Sequence, residues 1–337
     1  MKKLILLSAM MLATPAFADY ATGLGYFDNQ QYPQAFAELK PLADNGSERA
    51  QFYIGYMYLN GYGVDQDEAQ GLKYIQQSSD GGFEKAQSMM GYFLSEGHFV
   101  PQNKTKGFSL YQKAAEKNDD DALLNLGVAY YMGEAVDQDL DKSIEYLSRV
   151  NIVNKPIAGR YLADIYLLRN AKEDAQKAAN AYRLAAANGD LTSFHSYARL
   201  QQEGKVGEAN LPEAVKYYTY AASQNYAPSQ YVLGSMYING EGVPRDVFKG
   251  YAWISFAVNQ NLQVAVDTQK KLEENMTLSD LNRARHEMVE IQRDIIGQVE
   301  SPLKDAALRN GTVVINTGTT TNTRVEGVRR PRARRRR

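Results

Sequence analysis

The sequence predicts an all-α protein, a right-handed α-solenoid built from helix-turn-helix repeats of about 36 residues each. The first observation is a small residue that returns at steps of 36, 36, 36, 35 and 36, at Gly55, Gly91, Gly127, Ala163, Ala198 and Gly234. The second is a glycine six residues further on in five of these six repeats, at Gly61, Gly97, Gly133, Gly204 and Gly240. Periods of this length are typical of solenoids, in which each repeat buries its apolar face by stacking on its neighbours.

Each repeat is expected to be a helical hairpin. Apolar or small residues at i, i+4, i+7 and i+8 form one face of a first helix, and the Gly61 series ends that helix because glycine readily adopts the left-handed conformation. A short loop leads to a second helix, predicted at residues 69–79, 107–117, 140–150, 175–187, 212–223 and 247–258. A shorter hairpin at residues 20–28 and 34–43 precedes the six repeats, so the solenoid is expected to span residues 19–261.

The period stops after Asn261. A helix is predicted from Val264 to Asn275, and Thr277 begins a Thr-Leu-Ser-Asp sequence typical of an N-cap, opening a second helix that runs to about Ile296. We expect residues 262–300 to cap the last repeat. Residues 301–337 contain few large apolar side chains and are expected to be disordered.

The first 18 residues have the features of a signal peptide. Lys2 and Lys3 precede an apolar run, and Ala16-Phe17-Ala18 is a small-x-small cleavage site, so the mature chain is expected to begin near Asp19. No later uncharged segment approaches the 20 or so residues that a membrane-spanning helix requires. The chain has no cysteine among 337 residues, which excludes disulfides, thiolate metal ligands and a cysteine nucleophile. A periplasmic or secreted protein without a transmembrane segment is therefore expected.

The net charge of −1 conceals two opposite regions. Residues 324–337 contain eight arginines and one glutamate, whereas residues 19–323 contain 28 basic and 38 acidic side chains. Arginine clusters bind dense anionic arrays by releasing counterions, so the tail is predicted to bind an anionic envelope surface and no specific nucleic acid. The alternative is a solvated end with no role.

The repeats resemble the Sel-one-like repeat family, a branch of the tetratricopeptide-repeat superfamily. The strongest match is Leu233-Gly234-Ser-Met-Tyr237-Ile-Asn-Gly240-Glu-Gly242-Val243-Pro-Arg-Asp246, and the second helices carry the Ala-Ala pairs at 114–115, 185–186 and 221–222. The resemblance covers about residues 50–261. It departs at Arg169, which replaces the loop glycine, and in the middle loops, where Gly-x-Gly is interrupted.

The resemblance implies a scaffold or adaptor that binds a peptide or protein partner in a concave groove lined by the first helices. Envelope sensor kinases, secretion or polysaccharide-export machinery and host proteins are the implied partner classes, and a structural assembly factor is a further option. Because some cysteine-rich relatives are called β-lactamases, a cell-wall or β-lactam hydrolase is the alternative. Its only sequence support is Ser301-x-x-Lys304, which lacks the accompanying Ser-Asp-Asn and Lys-Thr-Gly motifs.

No catalytic residue, cofactor or metal site is predicted, since the three histidines fall in different repeats without clustered ligands. Candidate partner-binding residues lie at the third and seventh positions of the first helices, which change chemistry from repeat to repeat. We selected ten of them: Phe52, Tyr56, Tyr92, Leu124, Val128, Arg160, Asp164, His195, Arg199 and Tyr231. Tyr56 and Tyr92 are the predicted anchors, because aromatic side chains dominate many interfaces. The alternative is that some of the ten only pack between hairpins.

Overall fold

The computed structural model describes residues 19–171, 173–296 and 298–303, and these form sixteen α-helices and no strand. Both the predicted signal segment, residues 1–18, and the arginine-rich C-terminal region, residues 304–337, lie outside the described residues. The helices are α1 (Tyr20–Asp28), α2 (Tyr32–Asp44), α3 (Glu48–Asn60), α4 (Glu68–Asp80), α5 (Glu84–Glu96), α6 (Lys104–Glu116), α7 (Asp120–Met132), α8 (Leu140–Arg149), α9 (Pro156–Arg169), α10 (Asp174–Ala187), α11 (Leu191–Gln202), α12 (Leu211–Ser223), α13 (Ala227–Asn239), α14 (Val247–Val258), α15 (Gln263–Glu273) and α16 (Leu278–Asp294). The predicted all-α class of paired helices is confirmed.

Four of the first helices, α3, α5, α7 and α13, end directly before the glycine that the sequence predicts as their end. Gly61, Gly97 and Gly240 are left-handed C-caps with φ of 68°, 76° and 76°, and each donates its backbone N–H to a carbonyl of the last turn. The next helix then begins at a polar N-cap whose side chain accepts a backbone N–H, as Asp67 does from the Gln70 N–H. The C-cap of the first helix and the N-cap of the second helix therefore fix the loop that joins the two helices of a hairpin.

The hairpin of α9 and α10 closes without the glycine. Helix α9 ends at Arg169, and its C-cap, Asn170, takes the left-handed conformation with φ 52°. Arg169 Nε and Nη2 donate to the two carboxylate oxygens of Asp174 at 2.8 and 2.9 Å, and Asp174 also accepts the Ala171 N–H. The Arg169 guanidinium holds the pKa of the buried Asp174 carboxyl below its usual range. A forked ion pair thus closes the loop.

The chain divides into two compact units, and the division falls within α7. Unit 1 contains the residues up to Leu126 together with 134–136, and its core includes Leu39, Ile54 and Ile75, none of which is exposed. Unit 2 contains residues 127–133 and those from 137 onward, and its core includes Tyr182 and Trp253. Each unit therefore has apolar side chains buried between its own helices.

Helices α15 and α16 follow the last hairpin. At the start of α16, Thr277 and Asp280 form a reciprocal capping box, as the sequence predicts. Ile291 of α16 and Leu303 are 1% and 3% exposed and share a cluster with Trp253. The packed structure therefore extends to Leu303, two residues beyond the expected start of the tail at 301.

Candidate partner-binding cavity

Unit 1 contains an open cavity of about 510 Å³ along the first helices of successive hairpins. Helix α1 supplies residues at its C-terminal end, α3 supplies residues from its middle turns, α5 supplies residues from its first three turns, and α7 contributes its N-cap and N-terminal turns. The lining residues are Phe27, Asp28, Phe52, Tyr53, Tyr56, Lys85, Ser88, Met89, Tyr92, Asp119, Asp121 and Asn125. A cavity of this volume is within the range of ligand-binding clefts, about 300–1,000 Å³.

Three of the predicted binding residues, Phe52, Tyr56 and Tyr92, lie together in this cavity. The lining face is wider than the predicted stripe. On α5 it contains Lys85, Ser88, Met89 and Tyr92, an i, i+3, i+4, i+7 pattern that covers one side of a helix. Sequence reasoning selected only the i+3 and i+7 rows. It therefore missed the parallel rows of Tyr53, Met89 and Asn125 and of Lys85 and Asp121, which a four-row helical face would have included.

The aromatic rings of the cavity differ in burial. Phe52 is only 9% exposed and packs edge-on against Tyr53 and Phe83, so it belongs mainly to the core. Tyr56 is half-buried and lies 6.1 Å from Phe27 between ring centroids. Tyr92 is 45% exposed, with His98 as a ring neighbour at 5.5 Å. Tyr92 therefore presents the largest open aromatic surface among the three predicted residues.

The acidic side of the cavity comes from α1 and from the start of α7. Asp119 is the N-terminal cap of α7, where its carboxylate accepts the Ala122 N–H at 2.9 Å. Burial raises the pKa of Asp119, and the neighbouring Asp121 and Asp120 raise it further. The Ala122 N–H and the Ser88 hydroxyl lower the pKa of Asp119, although Ser88 Oγ is buried and makes no hydrogen bond of good geometry. The cavity thus places a desolvated carboxyl beside an unsatisfied hydroxyl.

The other predicted residues of the α7 and α9 helices have different surroundings. Leu124 and Val128 are half-buried and do not line the cavity. Arg160 pairs with Asp190, the N-cap of α11, through Nε and Oδ2 at 3.2 Å. Asp164 accepts a hydrogen bond from the Tyr182 hydroxyl, and burial raises its pKa. The two charged side chains connect α9 to α10 and to α11, which is the packing role that the sequence left open.

The last three predicted residues lie on α11 and α13. His195 is partly buried between the rings of Tyr218 and Tyr226, and its Nδ1 is 3.0 Å from Ser229 Oγ. Arg199 is half exposed and makes a long ion pair of 3.9 Å with Glu203. Tyr231 is half-buried against a cluster that contains Ile254.

Among residues 19–171, 173–296 and 298–303, no group of three or more His, Asp or Glu side chains is arranged to hold a metal ion. Within the same residues, no helix is both long and apolar enough to cross a bilayer. Ser301, proposed for the alternative hydrolase, uses its hydroxyl to accept the Leu303 N–H at 3.2 Å.

Paired helices with left-handed glycine caps at a constant period define a helical-repeat protein whose first helices carry the variable face. Residues 48–83, 84–119, 120–149, 195–226 and 227–262 match the Sel1 repeat, and together they cover half of the chain. The chain belongs to the Sel1 repeat family. The hairpin of α9 and α10, where Arg169 replaces the glycine, falls in the unmatched interval between residues 149 and 195.

Two solved structures illustrate the similarity in fold. A protective antigen from uropathogenic Escherichia coli strains, described as displaying an SLR fold, is 24% identical with a TM-score of 0.73, covering 82% of this chain and 61% of that protein. A Sel1 repeat protein from Oxalobacter formigenes is 27% identical with a TM-score of 0.59, and 75% of each chain is covered. The chain thus spans less than two thirds of the Escherichia coli protein. No curated protein matches the chain.

Proposed function

We propose that the protein is an exported adaptor that binds a peptide or protein partner in the cavity of unit 1. Proteins with Sel1 repeats generally mediate protein–protein interactions, and this chain has the repeat. The observation that carries the proposal is the row of aromatic residues from α1, α3 and α5 along an open cavity, with the Tyr92 ring 45% exposed. Such rings provide large contact areas at a low entropic cost.

The proposed export is supported by the position of the first hairpin relative to the predicted cleavage site. Asp19 directly follows the Ala16-Phe17-Ala18 site and is the N-cap of α1, where its carboxylate accepts the Ala21 and Thr22 N–H groups. Cleavage after Ala18 would therefore leave every residue of the first hairpin in place. N-terminal sequencing of the protein from an envelope fraction is expected to begin at Asp19, and an uncleaved chain confined to the cytoplasm would contradict export.

Binding in the cavity is tested by site-specific photo-crosslinking in the native cell. A photoreactive phenylalanine analogue at Tyr92 is expected to give a discrete covalent adduct. The same analogue at Leu278, which is 81% exposed on α16, serves as the matched control because it is accessible but distant in the sequence from the cavity residues. Equal adduct yields at the two positions would contradict the proposed binding site.

Removal of the two anchor rings supplies the energetic test. Tyr56→Ala combined with Tyr92→Ala is expected to abolish the adduct formed through a photoreactive group at Met89, which lines the same cavity. Tyr92→Ala alone is expected to change the melting temperature little because this residue is already 45% exposed. Tyr56→Ala lowers it modestly, since the Tyr56 ring contacts Phe27, Phe52 and Tyr62. Circular dichroism of each variant checks that the helices remain.

A further inference from the structure

The charges that line the cavity of unit 1 are unbalanced. Asp28, Asp119 and Asp121 contribute three carboxylates, whereas Lys85 is the only basic side chain among the described residues that line the cavity. Asp28 lies at the end of α1, and the other two lie at the start of α7. The carboxylates therefore flank the aromatic rings of α3 and α5 from two sides.

The aromatic rings between these carboxylates provide the second requirement for a cation. Phe27, Tyr53 and Tyr56 form a cluster with centroid separations of 5.0 and 6.1 Å from Phe27. Aromatic faces attract cations through their quadrupole, and the attraction is greater where water is excluded. A cavity that combines aromatic rings with carboxylates favours a planar cation that can stack on one and form a forked pair with the other.

An independent observation comes from the α5 side of the cavity. Ser88 is 5% exposed, and its buried Oγ makes no hydrogen bond of good geometry among the described residues, although it lies close enough to the Asp119 carboxyl to lower the pKa of that group. A buried hydroxyl without a partner costs free energy, which a ligand can recover by bonding to it. Ser88 Oγ lies beside the Asp119 carboxyl, so a single ligand group carrying several N–H donors could bond to both.

We propose that the cavity of unit 1 binds an arginine side chain of a basic linear segment in the partner. The guanidinium stacks among the Tyr56 and Tyr92 rings and donates to Asp119 and Ser88, while Asp28 and Asp121 attract the flanking basic residues. This inference rests on the proposed function, because it assigns the chemistry of the partner that the same site captures. Arginine is preferred to lysine because an ammonium cannot stack and form a fork at once.

Peptide binding to the full mature chain tests the assignment. The probe is a fluorescent nine-residue peptide with two arginines among glycine, serine and leucine, and its affinity is measured by anisotropy at fixed salt. Replacing both arginines by citrulline keeps the shape and removes the charge. We expect citrulline to weaken binding about tenfold or more and lysine to weaken it by a smaller factor.

Two carboxylate variants and a control locate the binding. Asp119→Asn keeps the N-cap, because asparagine caps a helix as well as aspartate does. The variant is expected to weaken binding of the arginine peptide about tenfold. Asp65→Asn makes the same charge change on an exposed loop of unit 1 and is expected to leave affinity unchanged. Equal effects of both variants would show unspecific attraction to an acidic surface and would overturn the proposal.

A variant of the full chain tests whether its own C-terminal arginines compete with the peptide for the cavity. In it, the eight arginines of residues 324–337 are replaced by glutamine, with the rest of the chain intact. Failure of both proteins to distinguish arginine from citrulline overturns the arginine assignment. The proposed function would survive that result if the adduct at position 92 still depended on Tyr56, so the two failures are separable.

Discussion

The surroundings of His195 disfavour the protonated, charged form of its imidazole ring. Burial lowers its pKa from 6.5 to about 4, and the nearby Arg199 acts in the same direction. Its ring lies between Tyr218 and Tyr226, and Nδ1 is within hydrogen-bond distance of the Ser229 hydroxyl. The folded protein therefore holds His195 neutral at the pH where an unfolded chain would begin to protonate it.

This difference in protonation predicts a pH-dependent stability. Below pH 6.5 the unfolded chain binds a proton at His195, whereas the folded chain does so only near pH 4. Stability is thus lost as the pH falls through this window, by about 2 kcal/mol between pH 7 and pH 5. We expect His195→Gln to remove this part of the pH dependence of the free energy of unfolding. Urea unfolding measured at several pH values checks the expectation.

The matched control for this measurement is His286, whose side chain is 73% exposed on α16. His286→Gln is expected to leave the pH slope unchanged. Identical slopes for the His195 variant and the unmodified protein would mean that His195 is hydrated in the folded state.

The two helices of a hairpin touch at the small residue of the first helix. A Cβ atom added at Gly55 would lie 2.8 Å from Ile75, and one at Gly234 would lie 2.7 Å from Ile254. At Gly127 it would overlap Leu147, and the Gly127 carbonyl also accepts the Ser143 hydroxyl at 2.6 Å. The absence of a side chain thus sets the separation of the helices.

A leucine at Gly127 is therefore expected to destabilise the protein strongly. The substitution would force α7 and α8 apart at Leu147 and lose the Ser143 hydrogen bond, at a cost of about 3 kcal/mol or more. Gly133→Ala, at φ +72° with its nearest neighbour 3.4 Å away, is expected to cost only about 1 kcal/mol. Melting temperatures measured by circular dichroism distinguish the two.

Gly25 provides a control of opposite sign within α1. A Cβ added there meets no atom within 4 Å, so Gly25→Ala is expected to stabilise by about 0.5–1 kcal/mol through helix propensity. If Gly127→Leu melted at the same temperature as Gly133→Ala, the close-packing explanation would be wrong.

The loops between paired helices keep their geometry even where the sequence lacks the second glycine. The interrupted Gly-x-Gly of the middle repeats indicated changed loops. Phe99 and Ala135 nevertheless take left-handed conformations, with φ of 58° and 64°, close to the 69° of Gly63. The loop geometry is thus retained because the caps and N-caps on either side fix it, and the strain at Phe99 and Ala135 is tolerated.

Charge divides the whole chain into an acidic body and a basic end. The last fourteen residues hold eight of the 38 basic side chains, and after Gly318 the only large apolar residues are Val325 and Val328. Such a composition cannot contribute much to a core. The binding of anionic surfaces and the stability of the repeats are therefore expected to be separable properties.

Truncation after Gly318 tests that separation. Helical content and the thermal midpoint are expected to stay the same, while binding to vesicles containing anionic lipid at low salt weakens strongly. A full-length chain with the tail arginines changed to glutamine should lose vesicle binding equally. Resistance of the tail to protease in the native protein would contradict the expectation.

The sequence by itself determined the local structure. The small residues that recur about every 36 positions predicted the helical hairpins. The residues typical of helix ends predicted the observed bounds of α1 and α14 and the N-cap at Thr277. These features depend on contacts within a few residues along the chain. A helix end is decided by its own capping groups, so a single sequence is sufficient to predict it.

Only the tertiary structure decided which face of the first helices borders the cavity and which residues it gathers. Periodicity identified Tyr56 and Tyr92, but Asp28 and Asp119 join them through packing between hairpins that are distant in sequence. The same packing gave Arg160 and His195 partners on neighbouring helices. Helical spacing defines the rows of a surface, whereas the stacking of successive hairpins determines which rows stay open and which become buried.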